Sequence, residues 1–435
     1  MAQRVNRIVF VNPVGDLETI SPDGSDRRLL SSGDIFFQFP AWSPDGRRIA
    51  AVGGAPNRIG IFVFEDREDS ALEPPAPRVV YESKREAPVY VFWSPDGRHL
   101  SFITNRPEEQ SLGLHVASLT DAPRPASSRL VATGRPCFWD WSADGKHILL
   151  HTGLAGEAGA QIRFIDPFNP SGGYASIARP GLFQAPGIAR SGRFWAFGQV
   201  NRAGELQLVV DERNANNRLL VPHHGVAAIG WSPTRDQLAY ISPTEPVRTY
   251  YGPLRLLDAT TGKVTLLTDD TVLAFFWSPN GRHIAYFTLA QIAEYIRHNV
   301  LPNADAAARD GGFQNRAEEA EDETGETESP GSEESQAARA IWFNLWVVDI
   351  ERGEHRLIST FEPAETFVDY FLPFFDQYAL SHRIWSPDSD AIVLPILRRS
   401  ADGSEHTLVY VIPTLRKGEA PRPIAEGSMA FWSQC

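Results

Sequence analysis

Ala41-Trp42-Ser43-Pro44-Asp45-Gly46-Arg47-Arg48-Ile49-Ala50 decides the fold, because it returns as Phe92-Trp93-Ser94-Pro95-Asp96-Gly97-Arg98-His99-Leu100-Ser101. Further copies begin at Trp141-Ser142-Ala143-Asp144-Gly145, Trp231-Ser232-Pro233, Trp277-Ser278-Pro279-Asn280-Gly281 and Trp385-Ser386-Pro387-Asp388. A degenerate copy, Ile188-Ala189-Arg190-Ser191-Gly192-Arg193, falls where the period requires one, and Trp432-Ser433 opens a last copy that stops at Cys435. The starts at 42, 93, 141, 188, 231, 277, 385 and 432 lie 43 to 51 residues apart, except for one step of 108. Each copy reads as a hairpin: Ser accepts at the first turn position, Pro presets φ, Asp or Asn suits the third and Gly takes the strained corner. Alternating runs such as Ile49 to Val52, Ile59 to Phe64 and Arg78 to Tyr81 follow the first copy. Four strands per period of this length make one blade of a β-propeller. Trp42, Trp93, Trp141, Trp231, Trp277, Trp385 and Trp432 are then structural, each wedged against a neighbouring blade.

The termini predict how the ring closes. Three strand candidates precede Trp42 (Ile8 to Asn12, Leu17 to Ser21, Arg27 to Ser31) and one, Met429 to Trp432, follows the last full blade. Three and one complete an eighth blade and leave no edge exposed. Ser21-Pro22-Asp23-Gly24 shares the turn letters but has no Trp before it, so it is not a blade start. The expectation is an all-β chain forming one domain over 1–435: a single eight-bladed propeller of four-stranded antiparallel blades, closed by the C-terminal strand pairing with the N-terminal ones.

The Trp-Ser-Pro-Asp-Gly copies resemble the WD40-like (PD40) repeats of TolB and of the propellers in prolyl oligopeptidase and dipeptidyl peptidase proteins. The resemblance covers almost the whole chain and implies a fold, since this repeat serves binders and enzymes alike. The chain departs from both: TolB is a periplasmic protein with six blades and a further N-terminal domain, and the peptidases carry a Gly-x-Ser-x-Gly nucleophile elbow that does not occur here.

Aromatic residues make up 11% of the chain and Gly and Pro number 34 and 33, in keeping with short strands and tight turns. Cys137 and Cys435 are the only cysteines, too few for a disulfide framework and compatible with a reducing compartment. The N-terminus runs straight into Ile8-Val9-Phe10-Val11 without a leader pattern, and no run of eighteen apolar residues occurs. A cytoplasmic protein without a membrane span is expected. The formal charge of −13 argues against a nucleic-acid binder. Nine of the carboxylates fall within 318–334, leaving −4 on the rest.

The 108-residue step contains an insertion, 290–340. Leu289, Ile292, Ala293, Ile296 and Val300 share one helical face, which predicts a short amphipathic helix. Residues 303–335 are acidic and low in apolar residues, which predicts disorder. The same blade then crowds Phe361, Phe367, Tyr370, Phe371, Phe374, Phe375 and Tyr378 into a connection that is elsewhere short. These rings either pack beneath the inserted helix or present a patch to a partner. On the second reading the contact residues are Phe367, Tyr370, Phe371, Phe374 and Phe375, with Tyr295 and Ile296 on the helix. The acidic run is either a solvated loop or an arm for a basic partner.

Catalytic candidates dissolve into the repeat. His99, His147 and His283 each fall six residues after a blade Trp and read as exposed by register. His223-His224 has no third ligand at metal spacing, and Cys137 has no activating neighbour. His151, His224 and His382 lie outside the common register and could converge only through the fold. No catalytic, cofactor or metal residue is assigned and no cofactor is expected. The chain therefore reads as a non-enzymatic protein-interaction scaffold whose partner is a protein. The alternatives are a hydrolase or lyase with a site in the central channel, and an accessory propeller of a peptidase or transport system.

Overall fold

The computed structural model describes residues 5–434 other than 57, 68–73, 75, 120–127, 170–171, 173–174, 216, 247–248, 291–340, 401 and 416–418. Eight antiparallel sheets follow one another in the predicted order and form an eight-bladed propeller. Blade 1 is built from Phe36–Trp42, Arg48–Ala55, Arg58–Glu65 and Arg78–Ser83, each strand pairing with the next. Blades 2, 4, 5 and 6 repeat this pattern. Blades 3 and 7 have three full strands, and the fourth is reduced to single bridges, Ile162 with Ala178 and Trp385 with Ile392. In the eighth blade Ser428–Trp432 pairs with Ile8–Val11, which continues to Leu17–Ile20 and Arg28–Leu29. Ile8 faces Trp432 and Val9 faces Phe431, so the two ends of the chain lock one sheet. The Ser21-Pro22-Asp23-Gly24 turn links the two outer strands of that blade.

The repeated phrase works through its side chains. Ser43, Ser94, Ser142 and Ser278 each accept the amide five residues on, at 2.9–3.0 Å, and donate to the Asp or Asn two residues on. Gly46, Gly97, Gly145, Gly192 and Gly281 then hold φ between 66° and 68°, the left-handed corner that suits glycine. The degenerate copy at 188 thus makes the same turn as the others. In blade 7 Ser389 takes this corner at φ 63°, and its Oγ accepts the Asn280 amide of blade 6 at 3.1 Å.

The tryptophans link the blades in series. The indole N–H of Trp93 donates to Ala41 O, that of Trp277 to Gly230 O, that of Trp385 to Phe276 O and that of Trp42 to Phe431 O, at 2.9–3.2 Å. In each case the acceptor is the residue just before the preceding blade's Trp. Blade 3 makes the link through Ser101, which accepts the Trp141 and Trp139 indoles and donates to Phe92 O. Trp432 turns to Asn6 Oδ1 instead. Trp231, which follows the one blade that has Ile188 in place of Trp, has no hydrogen-bond partner for its buried N–H among the described residues.

Register alone mistook three histidines. His99 and His147 are half-buried and His283 is 7% exposed, against the expectation that all three face solvent. Neighbouring side chains cover two of them: Phe168 packs 4.7 Å from the His99 ring, and Asp349 lies 3.7 Å from His283 Nε2.

Candidate functional site

The first strand of each blade is the innermost, and the aromatic connection of 361–382 fills the channel they surround. It turns through Phe367–Phe371 and Leu372–Phe374 and ends in a helix, α1, over Phe375–Ser381. Phe367, Phe371, Phe375 and Tyr378 recur every three or four residues, so a helical turn places them on one side. Phe375 meets Phe275 and Tyr250, Phe371 stacks on Phe276, and Tyr378 lies between Phe39 and Tyr90. One short segment therefore touches blades 1, 2, 5 and 6, and Phe431 of blade 8 closes on Phe371. Each buried Phe contributes about 2–3 kcal/mol of apolar burial.

Polar residues of α1 fix its depth. Gln377 Oε1 accepts the Trp139 amide and its Nε2 donates to the Trp139 carbonyl, at 3.0 and 2.9 Å, occupying backbone groups of an inner strand that no ladder satisfies. Asp376 accepts the amides of Ala185 and Gln377. Tyr250 Oη donates to Leu372 O, and Gln184 Nε2 donates to Pro373 O. Tyr90 Oη and His382 Nδ1 each lie 2.6 Å from Ser381 Oγ, and His382 Nε2 lies 3.3 Å from Phe39 O.

Burial governs the charges. It pushes the carboxyls of Asp376 and Asp140 up to about 7, against backbone amides that favour ionisation. It holds His382 and His151 neutral, their pKa values lowered to about 4. It pushes the Cys137 thiol up to about 12, so that sulfur is a protonated core atom.

A cavity of about 140 Å³ remains in the channel beneath α1 on the side of blades 5, 6 and 7. Phe275, Phe276, Trp231, Trp277 and Phe375 wall it, Asp376, His382 and Arg383 supply its ionisable groups, and Pro233 and Pro279 of the repeat turns also line it.

The proposed contact residues divide. Phe367, Phe371 and Phe375 are 5%, 4% and 1% exposed and face the channel, whereas Tyr370 and Phe374 are half-buried and keep an outer edge. Tyr295, Ile296, the predicted helix from 291 onward and the acidic run lie outside the described residues, while Leu289, which periodicity placed on the helix face, ends a strand instead because it pairs with Phe343. Leu289 pairs with Phe343, so the insertion leaves blade 6 between two adjacent strands, beside Phe367. His151, His224 and His382 are not brought together. His151 is bound to Gln184 O and Gly153 O, His382 lies under the helix, and His224 is exposed. Among the described residues no three His, Cys, Asp or Glu are placed to hold a metal ion. Sequence reasoning missed α1 with Asp376 and Gln377; the spacing 367, 371, 375 and 378 carries the helical signal.

Eight repeat-built blades around a plugged channel define the chain as a β-propeller of the Trp-Ser-Pro-Asp-Gly repeat type. No family model and no curated protein matches the sequence. A crystal structure of the eukaryotic initiation factor is similar over 99% of this chain and 98% of its own, at 10% identity and TM-score 0.51. TolB from Acinetobacter baumannii matches 60% of this chain at 19% identity and TM-score 0.37, and 63% of its own length is covered. The propeller domain of the Trilobed protease from Pyrococcus furiosus covers 90% of this chain at 12% identity and TM-score 0.46. These likenesses concern the fold. No described helix is long and apolar enough to cross a membrane.

Proposed function

We propose that the chain is a non-enzymatic interaction scaffold that carries the blade 6 insertion and the outer edges of Tyr370 and Phe374 to a protein partner. The observation behind this reading is the plug: at the face where the inner strands begin, the channel is filled by the chain's own aromatic rings. That face offers a macromolecule the plug's outer edge and the base of the insertion. The nine carboxylates of 318–334 suit a basic partner. The two-cysteine composition fits the cytoplasm as its compartment. Purifying the tagged protein and a variant lacking 291–341 from the same cells, followed by mass spectrometry, tests the reading. A partner recovered with the full chain is lost from the variant; recovery that is unchanged sinks the proposal.

A site in the channel is the second reading, and the cavity beside Asp376 favours it. It requires that Asp376→Asn abolish a turnover measurable with the full chain.

A further inference from the structure

The channel cavity adjoins a carboxylate that the described residues leave without a counter-charge. Asp376 is 2% exposed, and its two oxygens receive backbone amides, from Ala185 at 3.1 Å and Gln377 at 2.9 Å. His382 lines the same cavity, but its ring nitrogens face Ser381 and Phe39 O. Arg383 lines it too, and Nη1 donates to the Gln434 carbonyl at 2.7 Å. The phenols that face Asp376 from blades 2 and 5, Tyr90 and Tyr250, are kept protonated by burial. A buried carboxylate without a cation is costly and invites one.

The walls say which kind. A calcium or magnesium ion needs six or more oxygen ligands, and Trp231, Trp277, Phe275, Phe276 and Phe375 supply none. Aromatic faces do attract organic cations, whose alkyl surface also gains by leaving water. An anion would meet Asp376 head on. We propose that the cavity binds a small organic ammonium ion, its positive end against the Asp376 carboxylate and its alkyl surface among the rings of blades 5 and 6. None of the residues lining this cavity is Tyr370, Phe374 or part of the insertion, so the site and the partner surface can fail independently.

Calorimetric titration of the full chain with choline, and with its uncharged isostere 3,3-dimethylbutan-1-ol, tests the site. Choline is expected to bind at least about tenfold more tightly than the alcohol. Because only the ionised carboxylate attracts the cation, choline affinity should rise about tenfold between pH ~6 and pH ~8. Asp140, which burial also raises to about 7 against the Ile188 amide it accepts, titrates in the same range, so the pH arm is repeated on Asp376→Asn. That variant, shown folded by near-ultraviolet circular dichroism, should lose both the preference and the pH response. Equal binding of the two probes, no choline binding up to ~10 mM, or a folded variant that keeps the preference overturns the proposal. If the variant does not fold, the comparison of choline with the alcohol on the native chain decides alone.

Discussion

Asp376 sets a stability signature that can be read without any ligand. Its pKa is raised from 3.8 to about 7, so between those values the folded chain holds a proton that the unfolded chain has released. Stability from this group is full below pH ~4 and falls as pH rises to ~7, by roughly 4 kcal/mol across the window. The stability difference between native chain and Asp376→Asn should therefore decline over that range and flatten above it, as read by urea melts at fixed pH. A difference that rises with pH contradicts the assignment. Gln377→Ala should cost about 2–4 kcal/mol in the same melts, because it strands the Trp139 amide and carbonyl in the channel wall. Loss under about 1 kcal/mol would mean that water replaces the amide. Neither residue was legible in the sequence. Asp376 and Gln377 are polar letters inside an aromatic run, and their burial follows from where α1 is held, which no local pattern states.

The elements show why the repeats were readable and the plug was not. The copies at Trp42, Trp93, Trp141 and Trp277 each close their own turn through their Ser, so these similar stretches report their structure locally. The segment of 361–382 folds against at least five blades at once, and its rings were open to two readings until those blades were in place. The insertion is the opposite case. Its ends are paired neighbours, Leu289 with Phe343, and the Ala290 amide donates to Trp342 O at 2.8 Å. Replacing 291–341 by Asn-Gly, a two-residue hairpin turn, should leave the melting temperature within about 3 °C of the native chain in calorimetry. A larger fall would show that the segment supports the ring.

For the molecule as a whole, closure of blade 8 decides whether there is a ring. Ending the chain after Gly427 removes Ser428–Trp432, uncovers the inner edge of Ile8–Val11 and deprives Trp42 of its Phe431 acceptor. Size-exclusion chromatography should then find aggregates where the full chain runs as one species, since open strand edges recruit one another. A truncated chain that elutes and melts like the native one would show that the other seven blades suffice. The closing pair also gives the particle a polarity. Ile8 and Trp432 face each other, and Trp432 stands at the same end of its strand as the other blade tryptophans, so both ends of the described chain emerge on the side of the repeat turns. Anything joined to either end, a bead, a surface or a second protein, would hang the ring by that side and leave the base of the insertion pointing outward into solution.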